Sequence, residues 1–251
     1  MGLEIALMVV GGLIAIVGSI SLIVCGWLAI KYSVFNKKQN SAGLTGQEVA
    51  RKILDDNDLK HIKVKVTGSL MFGNSYSHYF KKVRLRRFTR NKQSLTSLGM
   101  GAQKAALAIL DKENDPDMKK RIRLYPIITF GPFAFVPLIT IGALLDYFVF
   151  SQSGIWVYIL GGLGLLFYAY AIVLSVATLK TEKKAQELAY LILKNDGLAT
   201  EEELEDLKEL FHLYNIQYIN DIILASLELI YTVLEILIAI NGSSSISSLK
   251  D

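Results

Sequence analysis

The 251-residue chain is 52% hydrophobic with a mean hydropathy of +0.37, which excludes an ordinary soluble domain and directs attention to long apolar runs. Its one cysteine, Cys25, lies inside the first such run, so a disulfide framework and a cysteine-rich zinc site are both excluded. The net charge of +4 conceals an asymmetry: Lys31 to Arg123 holds 21 Lys and Arg against 8 Asp and Glu, whereas Lys180 to Glu209 holds 5 against 9.

Ala6 to Ile30 is apolar for longer than the roughly 20 residues that cross a bilayer core. Lys31, Lys37 and Lys38 follow it, so residues 1–31 read as a retained transmembrane anchor rather than a cleaved signal, whose cations would precede the apolar core. The positive-inside rule puts the N-terminus outside and the next region in the cytoplasm. Within that basic region, residues 40–125, Thr45 can cap a helix whose apolar residues Val49, Ala50, Ile53 and Leu54 are helically spaced. HIKVKV (61–66) and KKVRLRRF (81–88) alternate strictly, predicting a small antiparallel sheet or hairpin. Lys81, Lys82, Arg84, Arg86 and Arg87 would make its outer surface basic. Two readings compete: anionic lipid headgroups, or a solvated edge strand charged against aggregation. Nucleic acid ranks below anionic lipid headgroups or an acidic protein partner, because aromatic residues are sparse among these cations and the segment is tied to a membrane.

Residues 93–110 form the next predicted helix, with the Ala-rich stretch GMGAQKAALAIL at its centre. A transmembrane hairpin is expected over 126–179. Its first arm, Ile127 to Val149, contains Pro132 and Pro137 and follows Pro126, which predicts a kink or a re-entrant start. Its second arm, Ile155 to Leu179, carries GGLG, small residues suited to close helix packing. Cytoplasmic helices follow over 180–218, with Thr200 and Glu203 spaced as a capping box. The last span, 219–241, carries Asp221, Glu228 and Glu235 at intervals of seven, one drifting stripe of the helix. Asp221 and Glu235 lie near its ends, which leaves Glu228 as the costly intramembrane carboxylate. Residues 242–251, rich in serine, read as a disordered tail.

This order of parts resembles the YugP-type family of bacterial membrane zinc metallopeptidases over nearly the whole chain. The stretches that carry the resemblance are SAGLTGQEVARKILD (Ser41 to Asp55), the hairpin with Ser77, His78 and Tyr79, the Gly99 helix, Glu182, and LATEEELEDLK (Leu198 to Lys208). It implies a membrane α-helical fold of about four transmembrane helices with a small cytoplasmic α+β zincin-like domain, in a bacterial cell membrane. In the family the central helix carries His-Glu-Ala-Gly-His-Ala, and laid against it this chain has Gln103, Lys104, Ala105, Ala106, Leu107 and Ala108. Two histidines four residues apart hold zinc and the adjacent glutamate is the general base; Gln103, Leu107 and Lys104 can do neither job. The family's third ligand corresponds to Glu182, and its His-Tyr-Asp-Pro pattern survives only as His78 and Tyr79.

The family uses zinc, but these departures predict no metal or other cofactor here. They point to a catalytically inactive relative that binds or scaffolds membrane proteins, with Lys104 placed to pair with Glu182 in the metal's stead. Two readings compete. One is an active membrane metallopeptidase with a relocated site drawn from His78, His212, Glu182 and Glu228. The other is a small transporter or channel subunit, motivated by Glu228 and the proline-rich span. His61 and His212 need no special role.

Overall fold

A computed structural model describes residues 2–67, 73–149 and 154–247 and, for residues 126–133 and 240–247, the backbone alone. The elements are α1 (Gly2–Lys37), α2 (Gly46–Asp56), β1 (Lys63–Thr67), β2 (Ser75–Ser77), β3 (Lys82–Arg86), α3 (Arg87–Asn91), α4 (Leu95–Lys112), α5 (Pro116–Phe148), α6 (Ile155–Asn195) and α7 (Glu201–Ser247). They fall into two compact units. One comprises Met1–Ile23, Leu124–Val176 and Gln217–Asp251; the other comprises Val24–Arg123 and Ala177–Ile216.

The first unit is apolar outside as well as inside. Three helices, Gly2–Lys37, Ile155–Asn195 and Glu201–Ala239, are long and apolar enough to cross a membrane, and their most apolar windows are 0%, 22% and 0% buried. Side chains such as Leu22, Leu166 and Val173 stand exposed. Apolar surface of this extent is stable in lipid and costly in water, so the chain is a membrane protein. A fourth long apolar helix does not emerge among the described residues: the apolar part of α5 is the shorter Ala134–Phe148. Nor is there a re-entrant start, since α5 runs as one helix through Pro126, Pro132 and Pro137. Pro126 has no N–H to offer the Ile122 carbonyl one turn back, and in the second unit the Tyr79 hydroxyl donates to that carbonyl at 3.3 Å. Within the first unit α5 and α6 pack closely through glycine. A Cβ at Gly142 would lie 2.6 Å from the Trp156 carbonyl, and one at Gly164 would lie 2.8 Å from Phe135 Cα. Asp146 accepts from the backbone amides of Trp156 and Val157, at 3.3 and 2.8 Å, and so holds the first turn of α6.

The second unit holds the buried core. Thr45 and Glu48 form the capping box that starts α2, and Thr200 and Glu203 form another before α7, with Glu203 also accepting from the Ser41 amide at 2.7 Å. Val49, Ala50, Ile53 and Leu54 of α2 are fully buried in the same core cluster as α4. The helices cross so closely that a Cβ at Gly101 would lie 2.5 Å from the Gly46 carbonyl. The sheet departs from the antiparallel hairpin that its two alternating segments predict. Its order is β1-β3-β2, with β1 parallel to β3 and β2 antiparallel to it. Ser75–Ser77 supplies a short strand of its own, and it takes the hairpin position that would have fallen to β1. The regions flanking the last two spans also merge with them. No glycine or proline interrupts 165–195 or 201–241, so α6 and α7 each continue unbroken. α7 extends to Ser247, past the start of the serine-rich tail predicted to be disordered, and 248–251 lie outside the described residues.

Candidate functional site

Helix α4 starts at Ser94, whose hydroxyl accepts from the Ser97 amide at 3.2 Å. Every residue from Leu95 to Ile109 is buried, as is Leu110. A helix enclosed on all sides cannot present a polar stripe, and alanine and glycine let its neighbours approach. Lys104, 8% exposed, and Gln103, 4% exposed, are the long polar side chains in this interior.

Both turn to Glu182 of α6. Lys104 Nζ and Gln103 Nε2 each donate to Glu182 Oε2 at 2.9 Å, while Arg121 Nη2 of α5 lies 2.7 Å from Oε1. One carboxylate thus faces two full positive charges and an amide donor. Burial by itself would raise the Glu182 pKa, but the Lys104 ammonium and the Arg121 guanidinium more than reverse this and hold it at about 2. The group is ionised at every physiological pH. It is a poor general base, because a proton taken from a reacting group needs a carboxylate that binds it near neutrality. Leu107, one turn beyond Gln103, is fully buried and apolar.

A second cluster lies where α4 ends. Asp111 accepts from the Tyr76 hydroxyl at 2.5 Å and meets His78 Nδ1 at 2.7 Å, with Lys81 Nζ at 3.5 Å. Burial pushes the Asp111 carboxyl up, and the hydrogen bonds from Tyr76 and His78 bring it below the ordinary range. Burial and the neighbouring Asp111 raise the Tyr76 phenol. Farther along α6, a cleft of about 570 Å³ opens between Gln186, Tyr190, Phe211 and His212, and the amides of Gln186 and Asn215 bond each other reciprocally at 3.1 and 2.8 Å. In the apolar unit, Glu228 receives the Tyr168 hydroxyl at 3.4 Å and Asp221 receives the Gln217 amide at 2.8 Å.

The structure therefore joins Gln103, Lys104 and Glu182 in one constellation. His78 and Glu228 each have a local partner of their own, and His212 lines the cleft. Among the described residues no group of three or more His, Cys, Asp or Glu could hold a metal ion. The sequence reading missed Arg121 and Asp111. Arg121 stands in a run of cations, KKRIR, with nothing in its spacing to set it apart from Arg123. Asp111 had one available signal: it is the first charge after the apolar stretch 105–110.

Comparison with known proteins gives one consistent direction. A family model described as "Putative neutral zinc metallopeptidase" matches residues 9–237. The "Putative membrane protease YugP" of Bacillus subtilis (strain 168) is 24% identical over 212 residues, which covers 84% of this chain and 88% of that protein. No solved structure matches.

Proposed function

We propose that this chain, which belongs to the neutral zinc metallopeptidase family, has kept a zincin-like frame in its second unit and lost the peptidase chemistry. On this reading it serves as a binding or scaffold partner for other membrane proteins in a bacterial cell membrane. The observation that carries this is the Glu182 constellation. Zinc needs lone pairs from imidazole, thiolate or carboxylate. Lys104 has none, Gln103 presents its amide nitrogen to the carboxylate, Leu107 is apolar, and both Glu182 oxygens are engaged by cations. The residues here do not fit zinc, and the local positive charge opposes any divalent cation.

The same reading makes α5 a fourth crossing. The residues that follow the first apolar run, those that end α6 and those that begin α7 all belong to the second unit. If α1, α6 and α7 cross the bilayer, the chain must also cross between Arg123 and Ile155. The part of α5 beyond Arg123, residues 124–148, reaches about 37 Å at the helical rise per residue, enough to do so. The basic second unit is then cytoplasmic and the N-terminus outside.

Elemental analysis of the detergent-purified protein, grown with zinc, tests the loss of chemistry. The wild type should carry no stoichiometric zinc and Glu182→Ala should be indistinguishable from it. Stoichiometric zinc that disappears in the variant would overturn the reading. A gain-of-ligand variant gives the converse test: Gln103→His with Leu107→His, Lys104→Glu and Arg121→Ala should restore two imidazoles beside Glu182 and take up zinc. Failure of that folded variant to bind zinc would mean that α4 and Glu182 do not mark an ancestral metal site.

A further inference from the structure

We infer that the solvent face of the three-stranded sheet is a binding surface for anionic phospholipid headgroups of the membrane in which the chain is embedded. Lys63 pairs with Lys82 and Lys65 with Arg84 across the parallel β1–β3 ladder, and Arg86 follows on β3. Alternation places these five cations on one face, with Ser77 and Ser75 beside Lys82 and Arg84 on β2. The opposite face turns Val83 and Leu85, both fully buried, into the core. Like charges directly opposite each other destabilise a sheet. Here two such pairs stand side by side, and among the described residues none of the five cations has a carboxylate within 4.0 Å.

The bland account is that charge protects an exposed strand edge from aggregation. It covers Lys63 and Lys65 on β1. It does not cover Lys82 and Arg84, because there β3 is paired with a strand on each side. No carboxylate among the described residues offsets this repulsion, and an anionic surface outside the fold would supply the missing counter-charge.

What makes that surface a membrane is Phe80. It is 65% exposed at the turn between β2 and β3, with Lys82 Nζ 4.7 Å and Arg84 Cζ 5.4 Å from its ring centroid. Tyr79, next to it in the chain, and Phe88, beyond the far end of β3, are also exposed. Exposed aromatic rings interleaved with Lys and Arg match the headgroup layer, where rings enter the interface and cations meet phosphate. The spanning helices of the same chain tether the second unit to lipid, so headgroup binding would be an intramolecular event. The inference rests on the membrane embedding alone and stands whether or not the chain hydrolyses peptides.

The test is lysine footprinting of the full-length protein in nanodiscs. A water-soluble acetylating reagent is applied in phosphatidylcholine alone and in discs with roughly 30% phosphatidylglycerol. Acetylation of Lys63, Lys65 and Lys82 should slow at least about threefold in anionic discs relative to Lys52 and Lys194, and about 0.5 M salt should remove the difference. Arg84→Gln with Arg86→Gln leaves the reporting lysines in place and should abolish the protection, while Phe80→Ala should weaken it. Equal labelling of the wild type in both lipids would overturn the proposal, and this comparison needs no variant to fold. Protection by polyglutamate in neutral discs with none from anionic lipid would also overturn it, in favour of an acidic protein segment.

Discussion

Two sets of cations in the second unit stand in opposite circumstances. Lys104 and Arg121 are enclosed and share one carboxylate, at 2.9 and 2.7 Å. Lys82, Arg84 and Arg86 lie on the outer face of a sheet whose other face is core; Lys82 and Arg84 oppose further cations, and none of the three has a carboxylate partner among the described residues. Out of water, a charge without a counter-charge costs several kcal/mol, so burial forces compensation. In water the same mismatch costs a few tenths to about 1 kcal/mol and can be kept. The enclosed cations therefore report on the fold, and the exposed ones are free to report on a partner.

Reversing one enclosed charge should break the fold most. Lys104→Glu places two carboxylates against each other and should cost about 3–5 kcal/mol, read as a fall in thermal midpoint in detergent. Adding Glu182→Lys, with Arg121→Gln in every background because the new ammonium would otherwise meet that guanidinium, restores opposite signs and should recover more than half of the loss. Purely additive losses in the double variant would show that the two side chains do not act as a pair.

Acid should expose the same pair without mutation. The folded pKa of Glu182, about 2, lies below its ordinary 4.5. Its contribution is therefore complete above about pH 4.5 and is lost as pH falls towards 2, a loss on the order of 3 kcal/mol at most. Asp111 is lowered too, by its hydrogen bonds with Tyr76 and His78. The difference between the wild-type profile and that of Glu182→Gln isolates the first carboxylate. If the two profiles run parallel from pH 7 to pH 3, Glu182 is not held by its cations in solution.

A smaller effect would sharpen the picture of how Lys104 is held. Gly101→Ala drives a Cβ to 2.5 Å from the Gly46 carbonyl and should cost about 2 kcal/mol through overpacking between α2 and α4. Urea or thermal unfolding measures it, and a neutral result would mean the crossing has room to give. The smallest change carries the opposite sign. Lys82→Gln relieves the like-charge pair with Lys63 and should raise stability by about 0.5 kcal/mol in neutral detergent. A loss of stability there would erase the contrast between the two sets of cations.

Local signals carried much of this into the sequence. Thr45 with Glu48, and Thr200 with Glu203, announce two helix starts because capping joins residues three apart. The apolar runs within α1, α6 and α7 announce membrane helices because bilayer thickness sets their length. Gln103, Lys104 and Leu107 could be singled out because a metal-binding helix demands a fixed spacing. The parallel pairing of β1 with β3 was not legible, since alternation fixes which face a residue occupies and says nothing of strand direction. Arg121 was not legible either, because its role depends on where α5 passes α6, a matter of packing between residues 61 positions apart in the chain.

By itself, then, the sequence determined three long apolar helices, the capping boxes before α2 and α7, the basic bias of the region after the first apolar run, and the absence of the zinc-binding residue types from α4. Each follows from period, length or the chemistry of single side chains. Only the tertiary structure decided that two cations close on Glu182, that His78 belongs to Asp111, and that the most basic strand lies in the middle of its sheet. Those are meetings of distant segments, and what selects them is the burial of one shared core rather than any local propensity.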